Sequence, residues 1–409
     1  MRAGWIRLWR CAAWGGIGLS LYAGWLTVDD VRDRSASERA IAAACDRLVS
    51  GAAVMDLDGG TVRAETSDYD RIDARGPRGS CTVYRASGSG RTTGLFSLAV
   101  RSGGEAEPLN WIGDRTEPFA LPHPAERTPK TDLTAVADRR PEPRPLGDGT
   151  LGWYGNWYTT VRAECGPGSS AAAPPLLHIT ASADYDGEVS GADRARLARI
   201  ARSAAETLTR RIGCRTRLPA LPAGQPAPVP TALRPARSAG GSCAWFAGYL
   251  RRSGHGPLPD RALSVPVRDT HPLEGCLLAV SPGQVRHTAG GLPEDKRDFA
   301  DSAVTHSPWW LRTVTYTGAE ARAAGYETIE GEDVVIKPGT AGHANDVWWA
   351  SSVCGGKPAV HTLTTSYAYD NVLGSRTVSA LLRAYVDDMA ERRGCTRVTY
   401  PDAADSGDR

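Results

Sequence analysis

Lysine is almost missing from this chain: of 48 basic residues only Lys130, Lys296, Lys337 and Lys357 are lysines. With abundant alanine, glycine and proline, that imbalance reads as GC-rich coding and carries no functional weight. An excess of either charge is missing as well. The formal net charge is +2, and Arg2, Arg7 and Arg10 more than account for it, so the rest is about neutral. A nucleic-acid partner would need a basic face and has no electrostatic support here. Enzyme signatures are also lacking: there is no GxSxG nucleophile elbow, HExxH helix, Walker-type loop or dinucleotide-binding fingerprint. Wholesale disorder is excluded by a 41% hydrophobic and 23% charged composition.

What is present begins with an uncharged run, CAAWGGIGLSLYAGWLTV, from Cys11 to Val28. At about 1.5 Å per residue it spans roughly 27 Å, close to a bilayer's hydrocarbon core. Arginines precede it, and Asp29, Asp30 and Asp33 follow. The positive-inside rule puts residues 1–10 in the cytoplasm and the rest outside. Trp5, Trp9, Trp14 and Trp25 lie in or beside the run, as interfacial anchors would. The favoured reading is a retained single-pass anchor over 11–28 at the cell membrane. A cleaved signal peptide is the alternative, although Trp25, Leu26 and Val28 spoil a small-x-small cleavage site. A buried soluble helix fits poorly, because Gly15, Gly16, Gly18 and Gly24 are unfavourable in helices in water.

Eight further cysteines stand at 45, 81, 165, 214, 243, 276, 354 and 395. Their intervals fall into two similar rhythms, and the surrounding residues repeat too. An apparently helical stretch holds Cys45 and Cys243. A strand-like run follows Cys81 and Cys276. Aromatic strands, NWYTTVRAEC and DVWWASSVC, lead to Cys165 and Cys354. Alternating segments and long helices then close on RRIGC and ERRGC. Leu197, Ile200, Ala201, Ala204 and Leu208, like Val378, Leu381, Leu382, Tyr385 and Met389, follow helical spacing. Ser190 with Asp193 forms a capping box in outline, and Gly213 and Gly394 suit helix ends. A duplicated domain is expected, over 35–217 and 242–400, with a Pro/Ala-rich linker over 218–241 and a disordered tail over 401–409.

Outside the membrane an even cysteine count reads as disulfides. Four cysteines per copy allow three pairings. The favoured one joins first to second and third to fourth: Cys45–Cys81, Cys165–Cys214, Cys243–Cys276 and Cys354–Cys395. Four-thiolate zinc sites are the weaker alternative, since no CxxC spacing supports them. Strands are expected at 80–86, 93–101, 153–163 and 176–185, then at 262–267, 276–281, 309–317, 325–337, 346–354 and 359–367. Residues 115–149 read as a long surface loop, with a shorter counterpart over 281–307. Helices come first and last around gathered strands, so each copy reads as α+β with a mainly antiparallel sheet packed by helices.

The anchor, the composition and the four-cysteine layout over residues 35–398 resemble membrane-anchored or lipoprotein-like envelope proteins of actinobacteria. Some of those have sheet-and-helix domains similar to the PsbP-like fold. The resemblance implies an extracytoplasmic address and α+β domains, and carries over no functional residue. Cys11 lacks a lipobox context, so lipid attachment is not implied.

Candidate chemistry is sparse. The run ASGSGRTTG, Ala86 to Gly94, precedes a strand rather than a helix, which suits a hairpin turn better than a phosphate cradle. Imidazoles concentrate in the second copy; His123 and His178 are the first copy's. Asp269, His271 and Glu274 are close in sequence, yet match no established metal spacing. Glu330, Glu332 and Asp333 read as a hairpin turn, and His178 and His361 as structural residues on corresponding strands. Aromatic residues are the better lead. Adjacent strand positions face opposite ways, so the pairs Trp309-Trp310 and Trp348-Trp349 each put one ring in the core and one on the other face. Trp157, Trp310 and Trp349 are therefore the candidate ligand-binding residues, able to stack on a sugar or anchor a protein. Burial under a neighbouring element is the competing reading of those rings.

The expectation is a non-catalytic binding or scaffold protein of the cell envelope, with no cofactor or metal. Its partners would be the membrane, through 11–28, and an envelope protein or cell-wall glycan, with no nucleic acid. The alternative is an extracytoplasmic hydrolase with its site in the second copy.

Overall fold

The computed structural model describes residues 25, 28–73, 78–86, 92–102, 111–112, 118–119, 131–139, 141–254, 256–328, 332–344, 346–366 and 369–402. The expected anchor lies outside these apart from Trp25 and Val28, as do residues 1–10 and 403–409. Among the described residues no helix is long and apolar enough to cross a membrane.

The architecture is α+β with mainly antiparallel sheets, stapled by the four expected bridges, Cys45–Cys81, Cys165–Cys214, Cys243–Cys276 and Cys354–Cys395. In the first half the strands are β1 (Ala64–Thr66), β2 (Gly79–Ala86), β3 (Thr92–Ser102), β4 (Trp111–Ile112), β5 (Arg144–Pro145), β6 (Gly152–Tyr154), β7 (Tyr158–Glu164) and β8 (Leu176–Ala183). The second half contributes β9 (Arg234–Pro235), β10 (Arg261–Ser264), β11 (Leu273–Ala279), β12 (Trp310–Thr317), β13 (Gly325–Glu327), β14 (Asp333–Val335), β15 (Gly342–Ala344), β16 (Val347–Cys354), β17 (Lys357–Thr365) and β18 (Cys395–Thr399). The first sheet runs β1-β2-β3-β8-β7-β6-β5. From its other edge the second runs β9-β10-β11-β12-β17-β16-β15, with β18 also on β16. The succession β1-β2-β3-β8-β7-β6 thus matches β10-β11-β12-β17-β16-β15; Cys81 on β2 corresponds to Cys276 on β11, and Cys165 just after β7 to Cys354 at the end of β16.

Helices α1 (28–44), α2 (Gly51–Met55) and α3 (Gly191–Arg211) serve the first half. Ile41 of α1 and Leu197, Ala201, Ala204 and Leu208 of α3 pack on Leu98, Val161, Ile179 and Ala181 of the sheet. The capping box of α3 is formed as expected: Ser190 accepts from the Asp193 N–H, and the Asp193 carboxylate accepts from the Ser190 N–H. In the second half are α4 (Ala244–Ser253), α5 (Pro282–Ala289), α6 (Glu294–Thr305), α7 (Ala319–Ala323), α8 (Tyr369–Leu373) and α9 (Ser375–Arg393). Gly394 ends α9 at φ 61°, a conformation in which a side chain would be strained.

Some expectations change. Residues 281–307 are not a loop but α5 and α6; Ser281 caps α5 through the Gln284 N–H, and Pro282 opens its first turn. The expected strand 153–163 is broken into β6 and β7, because the chain turns back at residues 155–157 and β6 pairs with β7. The 218–241 linker is held against the first half. Its carbonyls at Pro219, Pro226, Ala227 and Val229 accept from Arg202, Arg194, Tyr154 and Asn156.

Register decides which side chains meet. In the first sheet Cys81, Leu98 and Ala181 form one cross-strand row; in the second, Cys276, Thr313 and Leu363 do. His178 is three residues from its row and His361 two from its own, so the histidines face opposite sides of their sheets. His361 points under α9, and His178 points away from the helices, toward the other half.

Candidate functional site

The face of the first sheet that carries no helix meets the second half through a buried polar joint. Arg162 on β7 and His178 on β8 are cross-strand neighbours. Glu320 on α7 is fully buried, and its Oε1 accepts from Arg162 Nε at 2.9 Å and lies 3.0 Å from His178 Nε2. Burial alone pushes the Glu320 carboxyl up. The charges and hydrogen bonds of His178 and Arg162 more than reverse this, holding it at about 2.

A second contact lies across the sheet. Glu142, 1% exposed, takes a bidentate bond from Arg312 on β12, at 2.6 and 3.0 Å. Gly275 on β11 makes room for it: a Cβ there would stand 2.1 Å from Glu142 Oε2. Asp132 grips Arg261 through both oxygens at 2.7 Å. The described part of the 115–149 segment therefore lies packed on the second sheet, where a surface loop was expected. There Phe119 and Ala137 pack with Leu263, Leu277, Ala279 and Trp310.

That packing places the candidate tryptophans. Trp309 and Trp348 enter the core beneath the helices, and Trp310 and Trp349 belong to separate clusters on the other face. Trp310 is 8% exposed under its apolar cover. Trp349 is half-buried and stacks on Tyr326 at 5.7 Å between ring centroids. Trp157 is half-buried before β7, and its carbonyl accepts from the Ala183 N–H. The three rings lie in separate places and form no common platform.

The imidazoles and carboxylates are likewise dispersed. His361 lies in a buried chain in which Tyr385 Oη, Thr315 Oγ1, His361 and Ser352 Oγ are spaced at 2.7, 2.8 and 2.8 Å. Burial, and next Arg393, push the His361 imidazole down to about 3, so it is neutral. Ser352 and His361 have nucleophile–base spacing but are 3% and 0% exposed. Asp269, His271 and Glu274 do not converge. Glu274 is clamped by Arg392 and Arg393 at 2.7 Å each. His271 Nδ1 accepts from the Leu273 N–H, and its ring stacks on Trp153. Glu332 is exposed beside the β13–β14 hairpin; Glu330 and His123 lie outside the described residues. Among the described residues no group of three His, Cys, Asp or Glu side chains could hold a metal ion.

What the halves build together is a cleft of about 640 Å³. Arg162 and Glu164 line it from the first half, and Asp269, Lys357, Arg392 and Arg393 from the second. Neither Glu320 nor this cleft was found from the sequence. Glu320 stands alone in TGAEARAAG, and its partners are 158 and 142 residues away. The closing motif ERRGC did display Arg392 and Arg393, but only as a helix end.

No protein-family model, curated protein or solved structure matches the chain.

Proposed function

We propose that the chain is a non-catalytic binding or scaffold module of the cell envelope. It is made of two copies of one α+β domain and held at the membrane by residues 11–28. The observation that carries the non-catalytic reading is the engagement of its reactive side chains. His178 and Glu320 bond across the joint, His361 and Ser352 are sealed beneath α9, and Glu274 and Glu142 are each clamped by arginine. Chemistry needs a group that can reach substrate and change protonation state, and these groups support the structure instead.

Four disulfides favour an oxidising compartment outside the cytoplasm. The matching strand order and bridge positions favour descent of both halves from one domain. Trp25 and Val28 of the uncharged run are 60% and 50% exposed, and such exposed apolar side chains favour contact with a bilayer. Partners of this reading are another envelope protein or cell-wall glycan, with Trp157 and Trp349 as the part-exposed aromatic candidates.

The test is co-purification of the full-length protein from its native membranes. The reading expects it to stay with membranes after an alkaline wash and to bring a reproducible partner. Release by that wash, or hydrolytic turnover abolished by His361→Gln in a folded protein, would overturn it.

A further inference from the structure

Deepening that binding reading, we infer that the cleft between the halves takes a ligand through an oxyanion group, a phosphate or a carboxylate. Four cations from three elements converge on it: Arg162 on β7, Lys357 at the start of β17, and Arg392 and Arg393 at the end of α9. Only two carboxylates, Glu164 and Asp269, share the lining. Arg162 also pairs with Glu164 and Arg392 with Asp388 nearer the surface, and the remaining acids lie behind the cleft. Glu320 and Glu274 are 0% and 3% exposed, so they hold the guanidinium groups in position from the protein side.

That arrangement leaves donors over. Arg162 uses Nε and Nη2, and Arg392 uses Nε and Nη2, so each Nη1 makes no hydrogen bond among the described residues. A second observation is independent of the surface charges. Arg393, whose side chain is 6% exposed, has an Nε without a hydrogen-bond partner. It donates through Nη1 to the His271 carbonyl. His271 Nε2 and Trp153 Nε1 are also buried without partners, on two stacked rings that do not themselves line the cleft. With Nδ1 accepting from Leu273, the neutral His271 ring carries its proton on Nε2, so these orphaned groups are all donors. Buried donors left unpaired are unfavourable, and of these three residues Arg393 is the one that lines the cleft, where an oxygen acceptor suits its guanidinium. Planar guanidinium groups match the oxygens of carboxylate and phosphate.

The test is calorimetric titration of the full-length protein in detergent, at fixed ionic strength, with inorganic phosphate in one arm and glucuronate in the other. Saturable binding in either arm is expected, and the stronger arm names the oxyanion. Lys357 is exposed, so Lys357→Glu should fold normally and weaken binding by about tenfold or more, as loss of a charge-assisted contact does. Asp269→Asn should tighten it. No saturable binding in either arm, or affinity unchanged in Lys357→Glu, overturns the inference. Such a failure leaves the membrane co-purification result untouched, so the two readings fail separately.

Discussion

His361 spends both ring nitrogens inside the protein, one facing Thr315 and the other facing Ser352. With His271 it is a buried imidazole held down at about 3, against about 6.5 in an unfolded chain. A depressed histidine pKa means the unfolded chain takes up the proton first. Stability is therefore intact above about pH 6.5 and falls as pH drops toward 3, by about 1.4 kcal/mol per pH unit for each such ring. Glu320, held at about 2, adds its own loss only below the ordinary glutamate range near 4.3. Urea midpoints measured between pH 6.5 and 4.5 should fall steadily in the native protein and less steeply in His361→Gln. Equal slopes would show that His361 titrates normally. At this scale the sequence was informative only where the information was local. The two faces of Trp309-Trp310 and Trp348-Trp349 follow from strand alternation alone. The opposite facing of His178 and His361 does not, because it depends on a one-residue offset that only cross-strand register reveals.

Among the elements, β11 and the segment carrying Glu142 are fitted to one another at Gly275. Gly275→Ala would drive a Cβ into the Glu142 carboxylate, and such overpacking costs about 1–3 kcal/mol. Urea denaturation should show that loss in the native background and little further loss when Glu142→Ala is already present. Additive effects would mean that Gly275 and Glu142 are not coupled. Helices α3 and α9 were legible because long apolar stripes and end signals agree. Helices α5 and α6 were not, since Val285, Ala300, Ala303 and Val304 are their few buried apolar residues. The Ser281-Pro282 start signal was present without a stripe to support it. Short strands such as β15 and β18 depend on β16 as a template, and their own sequences show little alternation.

For the whole molecule, cysteine rhythm made the four bridges and the α+β layout readable, because disulfide position and strand order correspond between the halves. How the halves join was not readable. The joint uses single charged residues more than 140 positions apart, and no local pattern announces them. Buried pairs of this kind are weak evidence of net stability. Removing one partner nevertheless leaves an uncompensated charge, at a loss of about 3–5 kcal/mol. Together these contacts make the halves one body and so create the cleft. Differential scanning calorimetry of the full-length protein beside the Glu142→Gln, Glu320→Gln double variant tests this most directly. One cooperative transition in the native protein, and an earlier transition that divides in two in the variant, is the expected result. Two separate transitions in the native protein, both unmoved by the substitutions, would contradict it.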